Sequence, residues 1–124
     1  SDPEVLAMSE YYTADKQSLY LVATVDGKIV GGCGLAPFQG SAQTCELKKL
    51  FLLPESRGLG LGKALAERCL DFACQQGFKQ CYLDTLTSMK SAIQLYEKLG
   101  FIHLNSPLEG TEHSGCDVWM LKAL

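Results

Sequence analysis

The residues of this 124-residue chain best suited to chemistry gather at one turn. The run Leu47–Leu70 reads LKKLFLLPESRGLGLGKALAERCL. Its apolar, β-favouring segment Leu50-Phe51-Leu52-Leu53 stops at Pro54, and a short polar connection, Glu55-Ser56-Arg57, leads into Gly58, Gly60 and Gly62. An amphipathic helical pattern starts at about Leu59. A strand that feeds glycines into a helix start leaves bare N–H groups and the positive helix end directed at one place, which makes an anion site. Arg57 and Lys63 flank it with fixed and mobile positive charge. The turn is therefore read as a phosphate-binding one.

Two common phosphate loops fail against the letters. The magnesium-nucleotide loop needs Gly, four residues, then Gly-Lys-Ser/Thr; here Ala64 follows Gly62-Lys63, and Arg57 stands in place of the first glycine. The dinucleotide pattern fails because Gly58-Leu59-Gly60 is followed at the third place by Lys63. The spacing that fits is Arg-x-x-Gly-x-Gly, over Arg57-Gly58-Leu59-Gly60-Leu61-Gly62.

The elements around the turn follow from periodicity and punctuation. Asp2-Pro3-Glu4 carries helix-start signals, so a leading helix is expected over 3–12, ending near Thr13–Asp15. Leu19–Val25 reads as a strand, Asp26-Gly27 as a two-residue hairpin turn, and Lys28–Phe38 as the return strand. Gly31, Gly32 and Gly34 within it permit a bulge or a close backbone approach. Thr44–Leu53 is the strand that enters the turn. A helix over 59–76 places Leu61, Leu65, Cys69, Phe72 and Ala73 along one side and closes at Gly77. Gln80–Thr85 is a strand. Ser88 is read as the cap of a helix Met89–Leu99 that buries Ile93, Tyr96 and Leu99 and stops at Gly100. Strands at Phe101–Leu104 and Cys116–Lys122 flank a polar loop. The order predicts a mixed α/β sheet of about six strands, with a crossover at the glycine turn.

The length suits one domain over residues 1–124. A net charge of −3, with no basic stripe, argues against a nucleic-acid partner, and no apolar run is long enough to span a membrane. Neither a signal-peptide pattern nor a CxxC pair is present, and most of the six cysteines stand in apolar runs, which predicts buried, reduced thiols in a cytoplasmic protein. His103 and His113 are too few and too scattered for zinc, so no metal is expected.

With the turn and its elements placed, the chain resembles the GNAT superfamily of acyl-CoA-dependent N-acetyltransferases. That family's pyrophosphate loop is Gln/Arg-x-x-Gly-x-Gly/Ala between a strand and a helix. Its second block, ending AxxLYxKxGF, is matched by Ala92-Ile93-Gln94-Leu95-Tyr96-Glu97-Lys98-Leu99-Gly100-Phe101. The two blocks together are more specific than either alone, and the likeness covers roughly Lys28 to the C-terminus. It implies the GNAT fold, a central, mostly antiparallel sheet with flanking helices. The leading helix best matches the family's second helix, so the family's first strand and helix are expected to be missing before Ser1. It also implies acetyl-CoA as co-substrate and a primary-amine acceptor on a small molecule or peptide, with direct attack in a ternary complex; a homodimer stays open.

The resemblance implies that backbone N–H groups of Gly58, Leu59, Gly60, Leu61, Gly62 and Lys63 hold the CoA pyrophosphate, with Arg57 beside them or engaged in a surface salt bridge. The strand before the turn would splay from its neighbour, as in the family, so that backbone groups of Leu50, Phe51 and Leu52 face pantetheine, their side chains lying in the core. Tyr96 matches the family's general acid, whose ordinary value of about 10 suits proton transfer to a thiolate; the alternative is a core tyrosine. Glu46, between Cys45 and Leu47, is the candidate base, since burial would raise its basicity. Asp84 is its rival, and an exposed Glu46 on the polar side of the strand is the alternative. Met89 stands three places before Ala92, where many members carry an Asn, which removes one side-chain contact to the cofactor. His113 would line the acceptor pocket beside Asp117 and Trp119, or be solvated. Tyr11 and Tyr12 would border it. A catalytically silent acyl-CoA-binding or sensing module is the other reading; it would keep Gly58–Lys63 without needing Glu46 or Tyr96. A nucleotide-binding domain is a third.

Overall fold

A computed structural model describes residues 6–13, 17–56, 58–110 and 115–124. Along the chain run β1 (Leu6–Thr13), β2 (Ser18–Val25), β3 (Lys28–Pro37), β4 (Thr44–Leu52), α1 (Leu61–Gln75), β5 (Gln80–Thr85), α2 (Lys90–Lys98), β6 (Ile102–Leu104) and β7 (Val118–Ala123). One seven-stranded sheet has the order β1-β2-β3-β4-β5-β7-β6. Only the β4–β5 pair is parallel, because α1 carries the chain across between them. Asp26 (φ 51°) and Gly27 (φ 82°) are both left-handed, the backbone a twisted two-residue hairpin requires.

The expected leading helix is corrected. Asp2, Pro3 and Glu4, which carried its start signals, lie outside the described residues. Leu6–Thr13 is a strand in register with β2 over eight rungs, from Leu6↔Val25 to Thr13↔Ser18. Its alternation is sensible on the sheet: Met8 packs against the core, Glu10 pairs with Arg68 of α1, and the Tyr12 ring lies 5.8 Å from Phe72. Long-range pairing here overrides a local helix signal. The expected six strands are all present, and β1 makes seven.

The core lies between one face of the sheet and α1. Leu21, Leu35, Leu47, Leu83 and Met120 meet Leu61, Leu65, Ala66, Cys69 and Ala73 there, as the helical spacing predicts. All six cysteines are free thiols; Cys33, Cys45, Cys69 and Cys81 are buried, but Cys74 is exposed and Cys116 half-buried. In α2 Tyr96 is buried while Ile93 and Leu99 are half-buried. Its N-cap is Met89 rather than Ser88, and no side chain caps it.

Candidate active site

The two central strands part company. β4 and β5 pair over Thr44↔Gln80, Cys45↔Cys81 and Glu46↔Tyr82 only. Beyond Glu46, β4 runs on to Leu52 beside β3, while β5 runs on to Thr85 beside β7. A bulge bends β4 away: three steps from Lys48 to Phe51 oppose two from Gly34 to Gly32, and Lys49 takes a φ of 58°. A gap thus opens at the carboxyl ends of two parallel strands, the place where open α/β sheets bind ligands. Among the described residues, no strand pairs with the β5-facing edge of β4 past Glu46, which leaves backbone groups there available.

The glycine turn closes one end of this gap. Gly58 (φ 86°) and Gly60 (φ 72°) are left-handed, and a Cβ on either would meet no atom within 4 Å. Gly60 is the N-cap of α1; the Ala64 N–H donates to its carbonyl at 3.1 Å, and no side chain caps the first turn. The N–H groups of Leu61, Gly62 and Lys63 are therefore left for an outside acceptor. Open space above bare N–H groups at a positive helix end fits a diphosphate. Lys63 is exposed, 3.9 Å from Glu67. Arg57 lies outside the described residues. Leu50 and Leu52 pack against the core, but Phe51 is 40% exposed, which corrects the expectation that all three side chains are core.

Glu46 and Tyr96 lie on opposite faces of the sheet. Cys45 and Leu47 point into the α1 side, so Glu46 between them points away, half-buried beside its rung partners Ala36 and Tyr82. Tyr96 comes from α2 on the core side, its ring centroid 5.8 Å from that of Phe101. Burial, then the nearby Cys33 and Cys81 thiols, push its hydroxyl well above the ordinary range, so it keeps its proton throughout neutral pH. Asp84 stands opposite Trp119 near the end of β5. Asp117 accepts from the Thr87 amide at 2.8 Å and hydroxyl at 2.6 Å, and this holds its carboxyl below the usual range.

Two residues at the site escaped the sequence. Cys116 sits among acidic groups: burial first, then Asp84, Asp117 and Glu46, raise its thiol. Ser56, 2% exposed, places its hydroxyl 2.8 Å from the Leu53 carbonyl and 3.2 Å from that of Val30. Its place in a polar connection before the glycines was the only available hint. His113 lies outside the described residues. Tyr11 and Tyr12 belong to the far edge strand, three strands from β4. Among the described residues no group of His, Cys, Asp and Glu is placed to hold a metal, and no helix is long and apolar enough to cross a membrane.

Both the sequence and the fold of this chain are matched in known proteins. Residues 1–101 fit the model of the acetyltransferase (GNAT) family. An uncharacterized N-acetyltransferase of Escherichia coli, YjgM, is 42% identical over the whole chain, which spans 74% of its length. Other N-acetyltransferase relatives are matched over less than half of their length. A GNAT-family acetyltransferase from Staphylococcus aureus superposes with a TM-score of 0.85 at 17% identity, over 97% of this chain and 99% of its own. A GNAT acetyltransferase from Elizabethkingia anophelis, with acetyl-CoA bound, gives 0.73 at 17% identity over 96% and 98%. The chain belongs to the GNAT family, and its class is that of the acyl-CoA-dependent N-acetyltransferases.

Proposed function

We propose that the chain moves an acetyl group from acetyl-CoA to a primary amine of a small molecule or peptide, by direct attack in a ternary complex. The observation that carries this reading is the gap between β4 and β5, with the bare N–H groups of the glycine turn at one end and Glu46 at its last closed rung.

Acetyl-CoA supplies an activated acyl group as a thioester. The N–H groups of Gly58 to Lys63 bind its pyrophosphate, and the open backbone edge of Leu50, Phe51 and Leu52 orients pantetheine. Arg57 adds charge beside the turn. An ammonium cannot attack, so Glu46 takes its proton, directly or through water. Asp84, Asp117 and Glu46 give the mouth of the gap a negative field that favours a cationic acceptor. From the other face Tyr96 holds a proton for the departing sulfur. Burial keeps the Tyr96 hydroxyl protonated through neutral pH, so the proton is there to give.

Thiol release from acetyl-CoA, measured across an amine panel, tests the proposal. Turnover on one amine class is expected, and Glu46→Gln lowers it most at pH values where the amine is still protonated, with acetyl-CoA affinity kept. Acetyl-CoA binding without turnover on any amine points instead to a silent acyl-CoA-binding module. Unchanged turnover of Glu46→Gln across pH removes Glu46 from the mechanism.

A further inference from the structure

The connection between β4 and the glycine turn is pinned to β3 at two places. The first pin is polar. The Leu53 N–H donates to the Val30 carbonyl at 2.8 Å, and the Ser56 N–H to the Leu53 carbonyl at 3.0 Å. The buried Ser56 hydroxyl reaches both of those carbonyls, at 3.2 Å and 2.8 Å, and donates its one proton to either.

The second pin is steric. A Cβ on Gly31 would stand 2.8 Å from Leu52 Cδ2, 3.0 Å from the Phe51 carbonyl oxygen and 3.4 Å from Leu65 Cδ1. The Leu52 tip has little room to turn aside, because its other methyl lies over Gly62, 3.2 Å from where a Cβ there would sit. Leu95 of α2 closes the same spot at 3.4 Å. The Phe51 carbonyl is backbone and moves only with the strand. Leu52 thus sits as a peg with one methyl on Gly31 of β3 and the other on Gly62 in the first turn of α1.

We infer that Val30 and Gly31 form a brace which fixes the glycine turn before any ligand arrives, with Gly31 and Ser56 as positioning residues for donor binding. The inference rests on the reading that the turn holds the pyrophosphate of acetyl-CoA. Gly62 then acts through packing as well as through its N–H. A turn already held in place loses less freedom when it binds an anion, so displacing it weakens binding without touching a ligand contact.

The test measures acetyl-CoA affinity by titration calorimetry, melting temperature, and the amide resonances of Gly58, Gly60 and Gly62 in the unliganded protein. Gly31→Ala and Ser56→Ala are expected to weaken acetyl-CoA by on the order of tenfold and to shift those resonances. Leu19→Ala, a core truncation in β2, lowers the melting temperature but leaves the affinity unchanged. Unchanged affinity and unmoved resonances in both single variants overturn the brace, as does an equal loss of affinity in Leu19→Ala. If the unaltered protein fails to bind acetyl-CoA while the resonances of the two variants still move as described, the brace stands and the donor reading falls.

Discussion

Tyr96 can be separated from its packing by one atom. Tyr96→Phe keeps the ring, and with it the contact to Phe101 at 5.8 Å, but removes the hydroxyl. If that hydroxyl protonates the leaving sulfur, kcat falls by about a hundredfold or more, the usual reach of a positioned general acid. Acetyl-CoA affinity stays within about twofold, because no donor contact is lost. Full activity in this variant would leave Tyr96 a core residue only. Glu46 and Tyr96 were open to nomination from the sequence because each sits in a local pattern, a carboxylate between two apolar neighbours and a tyrosine inside a sequence block. Ser56 and Cys116 were not. What makes them matter is a carbonyl on β3 and carboxylates from β4 and β5, and no window of sequence contains those partners.

At the scale of elements, the glycine turn offers a matched comparison within one chain. Gly60 (φ 72°) and Gly27 (φ 82°) are both left-handed, and a Cβ on either meets no atom within 4 Å. Alanine at each therefore carries the same backbone cost of roughly 1–2 kcal/mol, with no clash added. Gly27 lies in the β2–β3 hairpin, whereas Gly60 caps α1 beside the gap. Both variants should melt several degrees lower, and only Gly60→Ala should lose acetyl-CoA affinity, by tenfold or more on the scale of about 1.4 kcal/mol per decade. Equal affinity in the two variants would take the pyrophosphate away from this turn. The same hairpin and turn were the parts of the fold most legible in sequence, since glycine in a special conformation is a local requirement. β1 was illegible for the opposite reason. Its eight rungs with β2 are non-local, and the Asp-Pro-Glu signal before it suggested a helix. The gap itself was implied only by the family resemblance, because the loss of pairing past Glu46 goes with a bulge at Lys49 that no residue type announces.

For the molecule as a whole, the buried thiols set an alkaline limit. Cys33 is raised far above its ordinary value of 9.0 by its hydrogen bond with Cys69 and then by burial. Cys81 is raised by its hydrogen bond with Cys45 and then by burial. Tyr96 is raised above its ordinary 10.0 by burial. In each case the folded chain keeps a proton that the unfolded chain gives up sooner. Below about pH 9 both states are protonated and the stability is intact. As the pH climbs past the unfolded values the unfolded chain binds fewer protons, so stability falls, by up to about 1.4 kcal/mol per pH unit for each group. Urea unfolding in the presence of a reductant, followed from about pH 7 to 10.5, should show a plateau and then a decline that begins near pH 9 and steepens near 10. Cys81→Ala is expected to lower the plateau, because it leaves a cavity between β5 and the core, and to flatten the decline, because one titrating group is gone. Those opposite effects cannot both come from a general loss of packing. A stability that stays level through pH 10.5 would mean that the thiols reach water before they ionise, and that the core under the gap opens far more readily than its burial indicates.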